Sequence, residues 1–489
     1  MKRLRGSAIA YALTIMTIVM ILLSSIVGFI VSQLQYSLKQ DDKEQALQIA
    51  EAGVHFYKWY LAHQLDGRTA SQVQAFWANT SPYPLGVHDA YEGAFSNGVY
   101  SVVVIPPDPS QTIISVESTG WTTANSELKR KIKVRLRKPS WSENAIMSNE
   151  KVRIGVGTEI FGPMHSNNGI RVDGLAHNLV TSSVDVYDDS DHNGVNEFGV
   201  HTHKNVPPAT GITVSVRPAE TPPSAVPERT DVFEAGRSFP VSPVDFNGIL
   251  GDLSLMKSEA QAGRGKYFDA TGQGRHIILK TNGTYDVCRV QSVTGSINQI
   301  DKYDRVSGNG SCTTCAGACV QNYPIVNNGA IFVENNVWLE GTVNNKRITV
   351  VAANLQSSAY KSVYIGRDIR YTNYNCDEMI GIVGQQDIEI YKNSNDNLYI
   401  DGALIAQRGR VGRLQYVGGS GTNIKTTITL FGALSSNQRY GFAWSDIATG
   451  NHVSGYINRV INYDNNLLYC PPPYFPTGSQ YKIDLWEEL

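Results

Sequence analysis

The pattern of hydrophobic and polar positions separates an apolar N-terminal helix from a long β-rich remainder. Ala8 to Val31 is almost wholly apolar, and no charged residue stands between Arg5 and Lys39. A helix of ~20 apolar residues crosses a hydrocarbon core of ~30 Å, so this segment predicts a membrane span. Apolar residues continue at helical spacing to Gly53, which predicts one helix of roughly 55 residues, half of it outside the membrane.

Three strand signals follow between Gly98 and Pro139. In residues 131–137 apolar and basic residues alternate strictly, which places Ile132, Val134 and Leu136 on one buried face and the cations in water. The pattern predicts an antiparallel sheet within residues 66–140. A row of Lys and Arg side chains that binds an anionic partner is the alternative to a solvated face.

After Trp141 the pattern changes to short apolar runs interrupted by Gly and Asn, which suits the coils of a β-solenoid, with a β-sandwich as the alternative. A proline-rich linker, a helix within 244–262 and a hairpin at Asn282-Gly283 indicate an α+β insertion over 206–320. The aromatic and proline-rich tail, 471–489, is expected to pack over an open solenoid edge.

Charge and flanking residues define the compartment. The 42 Lys+Arg and 44 Asp+Glu give a formal charge of −2, which argues against a nucleic-acid binder. Lys2, Arg3 and Arg5 form a basic flank that should stay cytoplasmic, so the rest of the chain is expected to be extracytoplasmic. No A-x-A exit marks an ordinary cleaved signal peptide.

The N-terminus resembles that of type IV pilins. The basic leader ending in Gly6, the apolar run from Ser7 and the stretch Ala50-Glu51-Ala52-Gly53 are similar to the PilX-type minor pilin N-terminal segment. The resemblance implies that a prepilin peptidase cuts between Gly6 and Ser7, and that the helix leaves the inner membrane to pack with other pilins. The fifth mature residue, usually Glu, is Tyr11 here, a departure that recurs in tip-located minor pseudopilins. A plain signal anchor with a stalk helix is the alternative.

The predicted fold class is mainly β with a long N-terminal transmembrane α-helix, in which a pilin-like antiparallel sheet is followed by a β-solenoid carrying an α+β insertion. The predicted parts are a basic leader (1–6), a transmembrane and stalk helix (7–65), a pilin-like sheet (66–140), a first solenoid part (141–205), the insertion (206–320), a second solenoid part (321–470) and the tail (471–489).

One acidic loop predicts a calcium site. Asp189, Asp191 and Asn193 stand at i, i+2 and i+4, Gly194 occupies the sixth position of the loop, and Glu197 occupies the ninth. Alternate oxygen side chains in a glycine-bent loop can wrap a hard cation. An acidic surface turn without a metal is the alternative.

Histidines and cysteines offer further candidates. His201 and His203 project from one strand face and could ligate zinc or copper, while surface or packed histidines are the alternative reading. The cysteines could serve zinc or an iron–sulfur cluster, but outside the membrane disulfides are expected. The cysteines of the insertion would form two bonds with undetermined connectivity, and the two remaining ones would form a third; they are Cys288, Cys312, Cys315 and Cys319, then Cys376 and Cys470.

These observations predict a minor, tip-located subunit of a type IV pilus-like filament that acts in assembly, priming or surface adhesion. A host or surface ligand is an additional expected partner. The alternative is a signal-anchored cell-surface protein that binds or degrades polysaccharide. No catalytic motif is present in the sequence, such as G-x-S-x-G, H-E-x-x-H or a phosphate-binding glycine loop, so catalysis is not expected.

Overall fold

The computed structural model describes residues 7–65, 68, 70–80, 82–107, 113–189, 194–204, 219–246, 249–305, 311–315, 319–418, 423–446, 451–476 and 481–489. The predicted leader, 1–6, lies outside these residues. The fold class is confirmed in its main parts, because the chain is strand-rich, begins with a long apolar helix and contains an antiparallel sheet.

Three α-helices and a 3₁₀ helix (Asn465–Leu468) are present in the described residues. Helix α1 (Ser7–Leu65) extends over the whole predicted transmembrane and stalk segment, and α2 (Ala70–Ala78) follows it. Helix α3 (Ile249–Gln261) lies within the predicted 244–262 segment and buries Leu253 and Met256.

The N-terminal sheet packs on the second half of α1. Its strands are β1 (Tyr91–Phe95), β2 (Gly98–Ile105), β3 (Ile114–Thr122) and β4 (Asn125–Arg137), all antiparallel. The apolar face of β4 is buried, as its alternation predicts. On the helix side the core includes Ile49, Tyr57 and Leu61.

The remaining strands run through the rest of the chain. They are β5 (Ile146–Ser148), β6 (Val152–Ile154), β7 (Thr158–Phe161), β8 (Met164–Ser166), β9 (Ile170–Val172), β10 (Leu175–Ala176), β11 (Val180–Ser182), β12 (Val186–Asp188), β13 (Asn196–Phe198), β14 (Val200–His201), β15 (Arg237–Ser238), β16 (Gly265–Phe268), β17 (Gly274–Leu279), β18 (Thr284–Thr294), β19 (Gln299–Asp304), β20 (Ser311–Cys312), β21 (Cys319–Pro324), β22 (Gly329–Val333), β23 (Asn336–Val343), β24 (Arg347–Ala352), β25 (Val363–Tyr371), β26 (Met379–Gly384), β27 (Ile388–Ile390), β28 (Asn397–Ala406), β29 (Val411–Gly412), β30 (Ile424–Ser436), β31 (Ala443–Ser445), β32 (His452–Tyr463) and β33 (Lys482–Glu488).

Most of these strands stack in parallel ladders. One ladder runs β16, β22, β24, β26, β28, β30, β5, β8, β11 and β15. A second runs β17, β23, β25, β27 and β29, and a third continues from β28 through β30, β32 and β7 to β10. Parallel pairing of this kind is what a solenoid requires, and the solenoid remains our interpretation of the ladders.

The order of the ladders differs from the predicted domain order. Strands β16 and β17, which the prediction placed in the insertion, extend the ladders, and only β18 to β21 form an antiparallel addition. Residues 146–182 pair beyond β30, at the opposite end of the first ladder. Adjacent strands of a sheet lie 4.7–4.9 Å apart, so β16 and β15, the two end strands of the first ladder, are about 43 Å apart. Residues 239–264 connect β15 to β16 and therefore span the length of this ladder.

The tail does not cover the edge that the sequence analysis expected. Residues 471–476 lie against β24 and α3, where the Arg347 side chain donates to the Pro471 carbonyl at 2.6 Å and the Tyr474 hydroxyl donates to Glu259 at 3.1 Å. Strand β33 then pairs antiparallel with β4, so the covered edge belongs to the N-terminal sheet. Arg135 and Arg137 on β4 both donate to Asp484 on β33, which explains this choice of edge.

Candidate functional site

The first half of α1 is an apolar surface that the rest of the described chain leaves uncovered. None of its most apolar 18-residue window is buried, and its exposed side chains include Ile9, Met16, Leu23 and Phe29. From Ala8 to Val31 the helix rises about 36 Å, which exceeds a hydrocarbon core of ~30 Å. The segment is therefore long and apolar enough to cross a membrane.

Three of the polar side chains in this segment are hydrogen-bonded in a way that is compatible with lipid. The hydroxyls of Thr14, Thr17 and Ser25 donate to carbonyls four residues earlier, at 2.5, 2.7 and 2.9 Å. A hydroxyl bonded within its own helix leaves no donor unsatisfied in hydrocarbon. Of the two predicted processing residues, Gly6 lies outside the described residues and Ser7 is the first residue of α1.

The predicted calcium ligands are only partly described. Asp191 and Asn193 lie outside the described residues, while Asp189 follows β12 and Glu197 lies on β13. Strands β12 and β13 pair as an antiparallel hairpin, which brings the two carboxylates together. Asp188 accepts a hydrogen bond from the Gly194 amide at 3.1 Å instead of joining them.

The structure joins these two carboxylates to the two predicted histidines. One ligand atom from each of the four side chains lies within 4.8 Å of the others. We call this group the histidine–carboxylate cluster; its members are Asp189, Glu197, His201 and His203. The sequence analysis treated the acidic loop and the histidine pair as separate candidates, because their convergence depends on how the β12–β13 hairpin lies against β14.

The contacts of the cluster centre on the histidine Nε2 atoms. His201 Nε2 lies 3.4 Å from Asp189 Oδ2 and 3.4 Å from Glu197 Oε2. His203 Nε2 lies 2.8 Å from Glu197 Oε1 and 3.9 Å from Asp189 Oδ2. Burial is nearly complete, since Glu197 and His201 are 0 % exposed and His203 is 1 % exposed.

One hydrogen bond sets a ring proton of His201. Its Nδ1 lies 3.1 Å from the Phe198 carbonyl, which can only accept, so Nδ1 carries a proton and Nε2 is the ring atom that faces the carboxylates. Burial lowers the pKa of His203, and the hydrogen bond that its ring makes to the Glu197 carboxylate opposes this shift only in part. Neutral imidazoles are the form of histidine that binds metals.

A layer of side chains supports the cluster from β9. Arg171 pairs in register with His201 on β14, donates to Asp173 at 2.8 Å and lies 3.4 Å from Asp189 Oδ2. Asp173 also accepts the backbone N–H of His203 at 2.9 Å. The sequence analysis missed Arg171 and Asp173, although a charged residue between Ile170 and Val172 was a signal of a buried ionic group.

Two further histidines that precede the cluster in the sequence, His165 and His177, lie elsewhere. His165 is hydrogen-bonded with Thr181 and Asn167, and His177 pairs with Glu234 at 2.7 Å and stacks on Phe161. Neither belongs to the histidine–carboxylate cluster.

Two disulfides are present. Cys288 is bonded to Cys315, and Cys376 is bonded to Cys470, the pair that was expected as the third bond. Cys312 and Cys319 are free thiols that donate to the carbonyls of Tyr303 and Val320, so the second bond expected within 206–320 is not formed.

A cleft of about 180 Å³ opens beside the second ladder. Parallel pairing of β23 with β25 places Trp338 beside Tyr364, and their rings stack at 5.0 Å. His276 lies 2.9 Å from Glu340 at the wall, and Arg367 also lines the cleft. Burial alone would raise the pKa of Glu340, but the His276 hydrogen bond and the Arg367 guanidinium together hold it below its usual value.

Comparison with known proteins gives a structural likeness but no family. No protein-family model matches the chain, and no curated protein matches it. Among solved structures, the chain is similar to the competence-associated pilin ComZ from Thermus thermophilus, at 13 % identity over 92 % of this chain and 97 % of that chain, with a TM-score of 0.31. This TM-score is too low for the likeness to assign a fold or a function.

Proposed function

We propose that the chain is a membrane-inserted, pilin-like minor subunit of a type IV pilus-like filament. It would be inserted in the inner membrane by α1, processed by a prepilin peptidase between Gly6 and Ser7, and placed at the filament tip. There it would act in assembly or adhesion without turnover chemistry, and the large β region would be extracytoplasmic.

The contrast between the two halves of α1 carries this proposal. The part from Ala46 onwards buries one face against the N-terminal sheet, whereas the apolar part has no cover among the described residues. Covering that surface is favourable by roughly 25 cal/mol per Å² of apolar area, and lipid provides the cover before assembly. Apolar helices of other pilins would provide it within a filament.

Leader removal is the direct test. Native chain extracted in detergent is expected to begin at Ser7 when its N-terminus is determined by mass spectrometry. Gly6→Val is expected to leave the leader in place and to prevent recovery of the chain with sheared filaments. The matched control is Gly28→Ala, because no neighbour lies within 4 Å of an added Cβ there, and it should be processed and recovered normally.

An intact N-terminus from Met1 in the native chain would overturn prepilin processing and leave a plain signal anchor. Immunogold labelling of the unmodified chain would then test position. Label confined to filament ends supports a tip subunit, and label along the shaft contradicts it.

The aromatic cleft favours a second candidate function, which is binding of a surface polysaccharide. The partly buried Tyr364, stacked on the buried Trp338, lines the cleft with an aromatic ring, and Glu340 and Arg367 offer hydrogen bonds to sugar hydroxyls. We expect the full-length chain in detergent to be retained by polysaccharide on a glycan array and to leave that polysaccharide uncleaved.

Substitution of the exposed Arg367 tests whether the cleft is the site that binds polysaccharide. Arg367→Ala is expected to weaken retention about tenfold, the loss of one charge-assisted contact. The exposed Arg305→Ala, outside this cleft, should leave it unchanged. Equal retention by all three chains would exclude the cleft, and shortened polysaccharide would indicate an enzyme.

A further inference from the structure

We propose that the histidine–carboxylate cluster binds one structural zinc ion. This assignment uses two of the residues predicted for calcium but changes the metal, because half of the donors are imidazole nitrogens. Calcium takes 6–8 oxygen ligands, whereas zinc takes four from His, Asp, Glu and Cys.

The unpartnered nitrogen of His201 is the observation that points to a metal. Among the described residues, no hydrogen-bond donor reaches its Nε2 atom, which is fully buried. This nitrogen faces two carboxylate oxygens, each 3.4 Å away. A cation placed among these buried polar atoms would satisfy all of them at once.

The spacing of the donors fits zinc. Zinc bonds of 2.0–2.1 Å in a tetrahedron separate neighbouring donor atoms by about 3.3 Å. With Oε2 as the Glu197 donor, the separations of 3.4, 3.4 and 3.0 Å around His201 and His203 lie near this value, and 3.9 Å needs a small side-chain movement. The Phe198 carbonyl that accepts the His201 Nδ1 proton is the usual outer partner of a metal-bound histidine.

Charge also favours a divalent cation. Two carboxylates, those of Asp189 and Glu197, belong to the cluster, and the Arg171 guanidinium beside it is shared between Asp189 and Asp173. A zinc ion would balance the charge of the two carboxylates. It would also join the β12–β13 hairpin to the sheet formed by β14, β9 and β6.

The test measures zinc bound by the full-length chain in detergent after stripping with chelator. Dialysis against zinc chloride is expected to leave one zinc per chain in elemental analysis. His201→Gln should reduce bound zinc at least tenfold. The matched control is His276→Gln, at the other group of potential ligands, where Cys288 and Cys315 are already disulfide-bonded, and it should retain the ion.

A measurement on the unmodified chain covers the case in which His201→Gln does not fold. Cobalt chloride is expected to saturate at one equivalent with the visible spectrum of a four-coordinate site, and zinc should displace it. Zinc lost in His276→Gln but retained in His201→Gln would overturn the proposal. A melting temperature raised by calcium and not by zinc would restore the calcium site. If zinc, cobalt and calcium all fail to bind, the proposal is wrong and His201 is a protonated partner of the carboxylates.

Discussion

The N-terminal sheet and the parallel ladders bury their strands differently. In β3 buried and partly buried residues alternate along the whole strand, so a single face rests on α1. In β22 and β26 every residue is buried, because neighbouring strands and packed elements cover both faces. The sheet therefore depends on one contact surface, whereas these two ladder strands are packed on both faces.

The two regions also differ in what they bury. The core beneath the N-terminal sheet is formed by apolar and aromatic side chains. The ladder region additionally buries ionisable groups, among them Arg413 at 0 % exposure and Arg459 at 8 %. Arg413 donates to the carbonyls of Tyr391 and Lys392, so its cost of burial is offset by hydrogen bonds.

The largest effect is expected from a substitution that disrupts the contact between α1 and the N-terminal sheet. A Cβ at Gly120 would lie 2.3 Å from the Ala46 carbonyl oxygen and 2.4 Å from the Ala50 nitrogen. Gly120→Val should therefore force α1 from the sheet and lower the free energy of unfolding of this region by about 3 kcal/mol. Hydrogen exchange of β2 to β4 in the full-length chain measures it.

A glycine with free space around it provides the control for this substitution. Nothing lies within 4 Å of a Cβ at Gly295, beside the ladders, so Gly295→Val should change stability by less than about 0.5 kcal/mol. Equal losses in the two variants would mean that close approach is not what makes the sheet sensitive.

An intermediate effect is expected at the edge closed by the tail. Asp484 is mostly buried and accepts from Arg135 at 2.9 Å and from Arg137. Asp484→Ala should cost roughly 1.5–3 kcal/mol, because hydrogen bonds to charged groups are lost at a partly buried site. Faster amide exchange confined to β4 and β33 measures the loss.

Glu487 on the same strand gives the comparison. Its carboxylate lies 3.8 Å from the Lys133 ammonium and the side chain is 46 % exposed. Glu487→Ala should cost less than about 0.5 kcal/mol, as is usual for surface ion pairs. A loss as large as that of Asp484→Ala would show that any charge on β33 holds the edge.

The smallest effect concerns pH and the buried charges of the ladders. Burial raises the pKa of Glu389, and hydrogen bonds from Asn298 and Tyr416 offset this only in part. The folded chain therefore binds this proton more tightly than the unfolded chain, so stability is lost as pH rises through the folded pKa. Glu389→Gln should reduce that loss by up to about 1 kcal/mol, measured as melting temperature against pH.

The exposed Glu150→Gln serves as the control and should keep the pH profile of the unmodified chain. If Glu389→Gln also keeps that profile, burial of this carboxylate does not distinguish the ladders from the sheet.

Elements whose position follows from local periodicity could be predicted from the sequence. The 3.6-residue repeat of α1 and the alternation in β4 were readable because each strip of apolar residues meets one partner. Strand β33 was not readable, since its Trp486 and Leu485 remain about half exposed and its place depends on Asp484 meeting arginines some 350 positions earlier. The stacking of β5 on β30 was hidden for the same reason, because short buried strands carry no signal of their neighbour.

The candidate site was predicted in fragments. Spacing marked Asp189 and Glu197 as one group and His201 with His203 as another, and no local pattern relates the two. Their meeting requires Gly169, where an added Cβ would lie 1.9 Å from the Tyr187 ring that packs against His201.

The pairing of β33 with β4 has a mechanical consequence. Residues 138–481 leave the N-terminal sheet at Arg137 and return to it at Lys482, and these two residues pair directly. Tension on the large β region would thus enter the sheet through two adjacent strands at one end and pull both lengthwise. Antiparallel hydrogen bonds lie perpendicular to such a pull, so the bonds between β4 and β3 would share the load in shear rather than open one by one.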